Sequence, residues 1–190
     1  MIDPDLLLRA YASGWFPMGT DSRRGVEWFS PDPRGILPLD TFHVPKRLAR
    51  LVRQSALDVR LNQAFEAVMR ACGRRHETWI NQEIIESFAE LHRLGFAHSM
   101  EAWRGDRLVG GLYGVSLHGA FFGESMFHQE TDASKVVLCA LVERLRARGY
   151  VLLDVQWVTS HLAQFGGVEI PRQEYVARLR ESARRRCIFA

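Results

Sequence analysis

The chain has 190 residues, 47% of them hydrophobic, with 25 Lys and Arg against 22 Asp and Glu. That is one domain, or one domain with a small appendage, and enough apolar mass for a real core. No apolar run approaches a membrane span, the start Met1-Ile2-Asp3-Pro4-Asp5 lacks a basic leader, and three cysteines (Cys72, Cys139, Cys187) without CxxC spacing imply neither a disulfide framework nor a structural zinc site.

A bacterial-type cytoplasmic protein is the expectation. In chain order, the predicted elements begin with a short helix over residues 4–13, carrying leucines at 6, 7 and 8 and Tyr11, and closed by Gly14. Residues 14–38 read as an irregular segment that holds four of the seven prolines and the aromatics Trp15, Phe16, Trp28 and Phe29. A loop that keeps so many large aromatics packs against something or binds something. Residues 45–53 form a basic helix with Lys46, Arg47, Arg50 and Arg53 at one-turn spacings. Asn62 is placed to cap a helix running to Cys72, with Phe65, Val68 and Met69 inward and Gly73 as its stop. Residues 82–94 repeat the pattern with Ile84, Ile85, Phe88, Leu91 and Leu94, and stop at Gly95. Three strands follow, over 98–103, 108–115 and 120–127, in an antiparallel meander whose first turn is Gly105-Asp106. Residues 133–148 form an amphipathic helix with Val137, Leu138, Leu141, Val142 and Leu145 inward. It returns the chain to a strand over 150–156, expected parallel to the strand before it through a right-handed crossover. A short helix at 161–165 and a last helix over 172–184 complete the reading.

Helix, helix, three antiparallel strands, helix, parallel strand is the order of the N-acetyltransferase (GNAT) core. The expected fold is therefore α+β, with a mixed, mostly antiparallel sheet flanked by helices. Fold alone does not set a reaction, but this one raises the expectation of acyl transfer to an amine. The apolar strands carry Glu124, Asp154 and Gln156, and burying such groups costs several kcal/mol unless they are paired. Chemistry is the first expectation there. Asp154 and Gln156, two apart on a strand, share a face; a paired strand-end Asp and Gln gives the same pattern.

A coenzyme A enzyme of this fold holds the pyrophosphate on backbone N–H groups at a glycine-rich turn. Here Phe127-His128-Gln129-Glu130-Thr131-Asp132-Ala133-Ser134-Lys135 has no glycine, and Glu130 and Asp132 repel an anion at the helix N-terminus. Ser134 and Lys135 remain able to contact one. Coenzyme A-dependent N-acetylation is thus a disfavoured alternative. Dispersed histidines without HxE or HExxH spacing give no support to zinc catalysis. The formal charge of +3 is unevenly spread. Between Arg34 and Arg75, nine Lys and Arg face Asp40, Asp58 and Glu66; between Arg172 and Arg186, six Arg face Glu174 and Glu181. Such runs suit an anionic partner, nucleic acid above all, although a solvated helix face produces the same pattern. A tRNA-binding module without catalysis is a second alternative.

One set of motifs spans nearly the whole chain in order. It runs Gly14-x-Phe16-Pro17, Trp28-Phe29-Ser30-Pro31-Asp32-Pro33-Arg34, Thr78-Trp79-Ile80 and Leu91-His92-x-x-Gly95-x-Ala97-His98-Ser99. It continues through residues 108–115, Gly123-Glu124-Ser125-Met126-Phe127, Ala133-Ser134-Lys135, Asp154-x-Gln156 and Glu169-Ile170-Pro171-Arg172. In these the chain resembles the leucyl/phenylalanyl-tRNA–protein transferase family of the bacterial N-degron pathway. The resemblance implies that an aminoacyl-tRNA donates Leu, Phe or sometimes Met to the α-amine of a protein beginning with Arg or Lys. It implies no metal and no coenzyme, and a GNAT-like catalytic domain (33–190) behind an N-terminal subdomain (1–32) that is shortened here. A monomer is expected.

The resemblance also assigns Asp154 and Gln156 to catalysis, with Asp154 holding Gln156 and the Gln156 carbonyl oxygen accepting a proton from the incoming amine. The terminal ribose hydroxyl of the tRNA shares that work. Glu124 with Asp154 supplies the negative charge that selects an Arg or Lys acceptor; pairing of Glu124 with a structural cation is the plainer reading. Leu112, Phe121, Met126, Leu138, Leu141 and Leu153 are the candidate pocket for the Leu or Phe side chain, and each is equally a core residue. Trp79 either stacks on the terminal adenine or packs in the core. Lys46, Arg47, Arg50 and Arg53 are placed to follow the acceptor-stem phosphates.

Overall fold

The computed structural model describes residues 1–20, 25–54, 57–74 and 78–190. Helix α1 (Pro4–Ala12) starts where the Asp3 side chain accepts the N–H of Leu6 at 2.9 Å and Pro4 needs no partner for a donor. It gives way to Gly14 at φ +80°, where a side chain would collide with the Tyr175 ring. The segment expected to be irregular instead holds three short strands. β1 (Phe16–Gly19) and β2 (Val26–Phe29) pair antiparallel, and β3 (Arg34–Ile36) joins the main sheet. Strands of three or four residues broken by proline and glycine are too brief to show an alternation.

After α2 (Lys46–Gln54) come β4 (Asp58–Leu61), α3 (Phe65–Cys72) and α4 (Gln82–Arg93). Asn62 does not cap α3. It sits at φ +57°, and its side-chain oxygen takes the N–H of Ser99 at 3.0 Å. The N–H groups of Gln63 and Ala64 go instead to buried Glu101, each at 3.1 Å. The meander is present as β5 (Ala97–Arg104), β6 (Arg107–Leu117) and β7 (Ala120–His128), and α5 (Ala133–Ala147) returns to β8 (Leu152–Gln156), parallel to β7. α6 (Ser160–Ala163), β9 (Val168–Ile170) and α7 (Arg172–Ser182) follow.

The sheet order is β4-β5-β6-β7-β8-β3-β9. One face packs against α1, α3, α4 and α7 through Tyr11, Phe65, Phe88 and Tyr175; the other packs against α2, α5, α6 and the C-terminal segment through Leu48, Leu141, Leu162 and Phe189. This is the helix-flanked mixed sheet of the GNAT-like fold. Among the described residues no helix is long and apolar enough to cross a membrane.

The sheet is forked. Pairing of β7 with β8 runs from Ala120↔Leu152 to Phe122↔Asp154 and stops. Two backbone irregularities mark the parting. The β6–β7 register shifts so that Tyr113 pairs with Ser125 and Gly114 with Gly123, which leaves Glu124 as the extra residue of a bulge. On the other prong Gln156 takes the left-handed conformation, φ +59°.

Candidate active site at the fork of the sheet

Glu124 and Gln156 meet across the fork. Gln156 Nε2 donates to Glu124 Oε1 at 3.2 Å, and the Tyr11 hydroxyl, brought by α1, donates to the same oxygen at 2.8 Å. Glu124 Oε2 is buried without a hydrogen-bond partner among the described residues. Burial pushes the Glu124 carboxyl up to about 8; the Asp154 carboxylate adds to the rise, while the Tyr11 hydrogen bond and the Arg34 charge oppose it.

Asp154 stands behind this pair, fully buried and away from the cavity lining. It accepts Arg34 Nε at 3.0 Å, Arg34 Nη2 at 2.9 Å, the Tyr175 hydroxyl at 2.6 Å and the main-chain N–H of Gln156 at 2.9 Å. Arg34, 1% exposed, gives Nη1 to the Gly14 carbonyl at 3.0 Å and lies between the rings of Phe16 and Tyr175, at 4.8 and 4.7 Å. Three expectations are corrected here. Arg34 belongs to no anion-binding surface, being the buried counter-ion of Asp154. Asp154 holds Gln156 by its backbone, because the left-handed residue sends its side chain to Glu124. And Asp154, neutralised by Arg34, presents no charge to an acceptor.

A cavity of about 530 Å³ opens at the fork. Leu112, Met126, Leu138, Leu141 and Leu153 line it together with Glu124 and Gln156. Phe121 does not; it is fully buried and stacked on Phe189, centroids 4.8 Å apart. The bulge also interrupts the two-residue alternation of a regular strand along β7: Phe122 packs in the α1 layer and Met126 in the α5 layer. Phe16, Trp79 and Trp157 add an aromatic wall, and Ser134, Thr159 and His161 contribute polar groups. Sequence reasoning missed Tyr11, Tyr175 and the true role of Arg34. Arg34 showed only as one basic residue among nine and as the end of a motif rich in aromatics and prolines, and Tyr11 only as an aromatic of the first helix.

Elsewhere charges are matched internally. Glu130 pairs with Arg104 at 2.7 Å and with Arg107, and Asp132 pairs with Lys135 at 2.7 Å, so the turn before α5 is less repulsive to anions than its sequence implies. Arg178 pairs with Glu174 and Arg185 with Glu181, and Arg172 donates to the Ser30 carbonyl at 3.2 Å. On α2, Leu48 is buried and Lys46, Arg47 and Arg50 are exposed; the side chain of Arg53, like Arg75, lies outside the described residues.

Comparison with known proteins gives the family. The family model for leucyl/phenylalanyl-tRNA protein transferase matches residues 36–180, and the model for the N-terminal domain of that transferase matches residues 1–32. A leucyl/phenylalanyl-tRNA–protein transferase of Gloeobacter violaceus is 51% identical over 188 residues, covering 99% of this chain and 97% of that protein. One from Rubrobacter xylanophilus is 55% identical over 191 residues, covering 100% and 99%. A solved protein of unknown function from Staphylococcus epidermidis, 12% identical, shares the fold with a TM-score of 0.50 over 90% of this chain and 65% of that one. With matches along almost its entire length, the chain belongs to the leucyl/phenylalanyl-tRNA protein transferase family and is an aminoacyltransferase.

Proposed function

We propose that this protein transfers Leu, Phe or Met from aminoacyl-tRNA to the α-amine of proteins beginning with Arg or Lys, marking them for N-degron degradation in the cytoplasm. The observation that supports this best is the Gln156–Glu124 contact on the wall of an apolar cavity. Leu112, Met126, Leu138, Leu141 and Leu153 receive the donor side chain. Met suits such an adaptable wall.

An α-amine has a reference pKa near 8, so a useful fraction is free at neutral pH. Holding it against the ester, worth up to several kcal/mol, then matters more than a strong base. Gln156 Nε2 is committed to Glu124, which leaves its carbonyl oxygen to accept a hydrogen bond from the attacking amine. The N–C bond forms, the C–O bond to the terminal ribose breaks, and the proton lost by nitrogen ends on the ribose oxygen. Asp154 acts through the Gln156 backbone as a positioning residue. Glu124 meets the acceptor's cationic side chain. Trp79 stacks on the terminal adenine, an interaction worth about 1–3 kcal/mol. Lys46, Arg47, Arg50 and Arg53 follow the acceptor-stem phosphates. Residues 1–32 act as an N-terminal subdomain on a catalytic domain of 33–190, in a monomer.

The deciding experiment is transfer of labelled leucine from Leu-tRNA to peptides starting with Arg, Lys, Asp or Ala. Incorporation on Arg and Lys alone is the expected result. Incorporation on Asp, or none at all with tRNA still bound, overturns the reading.

A further inference from the structure

The surroundings of Glu124 carry a further inference, which rests on the acceptor reading above. Its Oε1 takes two donors, the Tyr11 hydroxyl and Gln156 Nε2, while Oε2 has none among the described residues. The charged and titratable groups that face it come from three elements: Tyr11 on α1, Arg34 on β3 and Asp154 on β8. Arg34 is already spent, with Nε and Nη2 on Asp154 and Nη1 on the Gly14 carbonyl. Around Tyr11 the neighbours are aromatic, Phe122 at 4.9 Å and Phe88 at 6.4 Å between centroids. A permanent carboxylate here would keep one oxygen without donor or cation, beside a second carboxylate. A buried charge so placed is expensive.

We propose that Glu124 waits as a neutral carboxylic acid and becomes a carboxylate only when the cationic side chain of an acceptor is seated against it. The exchange balances: the acceptor cation enters, the Oε2 proton leaves to solvent, and an ion pair replaces the acid with no net charge buried. A neutral first residue sets off no ionisation and gains no ion pair. Specificity thus lies in a proton that only a cation can displace. Tyr11 donates to Oε1 in both states and is the positioning residue that reserves Oε2 for the acceptor. The upward push of burial on this carboxyl agrees with the same picture.

The test is infrared difference spectroscopy of the full chain at neutral pH, wild type against Glu124→Gln, run beside the labelled-leucine assay. The expected result is a carboxylic-acid carbonyl band in the free wild-type enzyme. The band disappears on adding an Arg-start peptide and survives an Ala-start peptide. Absence of the band from the free enzyme overturns the proposal. So does a band that survives saturating Arg-start peptide while transfer to that peptide proceeds; the acceptor reading stands in both cases. Failure of transfer to Arg-start peptides overturns the acceptor reading and this inference together. Should Glu124→Gln fail to fold, titration of wild type labelled with ¹³C in the glutamate carboxyls decides alone. One glutamate titrating above neutral pH is expected, and none overturns the proposal.

Discussion

Replacing Arg34 with methionine would leave the Asp154 carboxylate fully buried with a hydroxyl and an N–H for company but no cation. Breaking one partner of such a pair costs about 3–5 kcal/mol, whereas replacing both with apolar residues is often neutral. R34M is therefore expected to lower the thermal midpoint sharply, and R34M/D154L to recover most of it. The double variant still loses transfer, because the Gln156 N–H has lost the acceptor that fixes its left-handed backbone; thermal unfolding and the leucine assay separate the two effects. Glu124 gives the second prediction at this scale. Its folded value of about 8 lies above the ordinary 4.5. Between those values the unfolded chain has released a proton that the folded chain keeps. Wild-type stability accordingly falls as pH rises through that window, by about 1.4 kcal/mol per pH unit at most. Glu124→Gln removes the slope, so denaturant unfolding should show the variant gaining on wild type between pH 5 and 8. Parallel curves would refute the assignment.

Among the elements, α4, β5 to β7, α5 and β8 were legible in the sequence because each is long enough to display its period. β1 to β4 and β9 were not, having three or four residues each. The Asn62 cap failed for another reason: the partner of the chain entering α3 is Glu101, a distant residue that no local rule names. The site divides in the same way. Glu124 and Gln156 showed as polar residues in apolar runs. Arg34 hid inside a basic count, since a non-local ion pair leaves no mark on local composition. The alternation rule misplaced the Gln156 side chain, because a left-handed residue interrupts that prong as a bulge interrupts the other. At this scale the cavity wall is testable. Leu141→Phe narrows the pocket and should reduce kcat/KM for Phe transfer more than for Leu transfer, by about tenfold or more. Equal losses would place the donor side chain elsewhere.

For the whole molecule, the charge map is more selective than the sequence implied. Glu174 and Glu181 hold two of the arginines of the C-terminal run, whereas α2 presents Lys46, Arg47 and Arg50 outward over a buried Leu48. Removing a cation that neutralises one phosphate should flatten the salt dependence of tRNA binding by about 0.9 in the log–log slope. The triple variant K46A/R47A/R50A is expected to weaken tRNA binding and reduce that slope while single-turnover transfer at saturating tRNA stays near wild type. An unchanged slope would remove α2 from the tRNA path.

The fork has a practical consequence as well. Past Phe122 and Asp154 two strand margins face one another with no ladder between them, whereas β5 and β6 are paired along nearly their full lengths. Amides on unpaired margins exchange with solvent more readily than those locked in a ladder. Any molecule lodged in the gap shields them, so deuterium uptake over residues 123–127 reports occupancy without a label on donor or acceptor; across the gap the N–H groups of Gln156 and Trp157 are already held, by Asp154 and the Val155 carbonyl. The sheet is its own gauge of whether the enzyme is loaded.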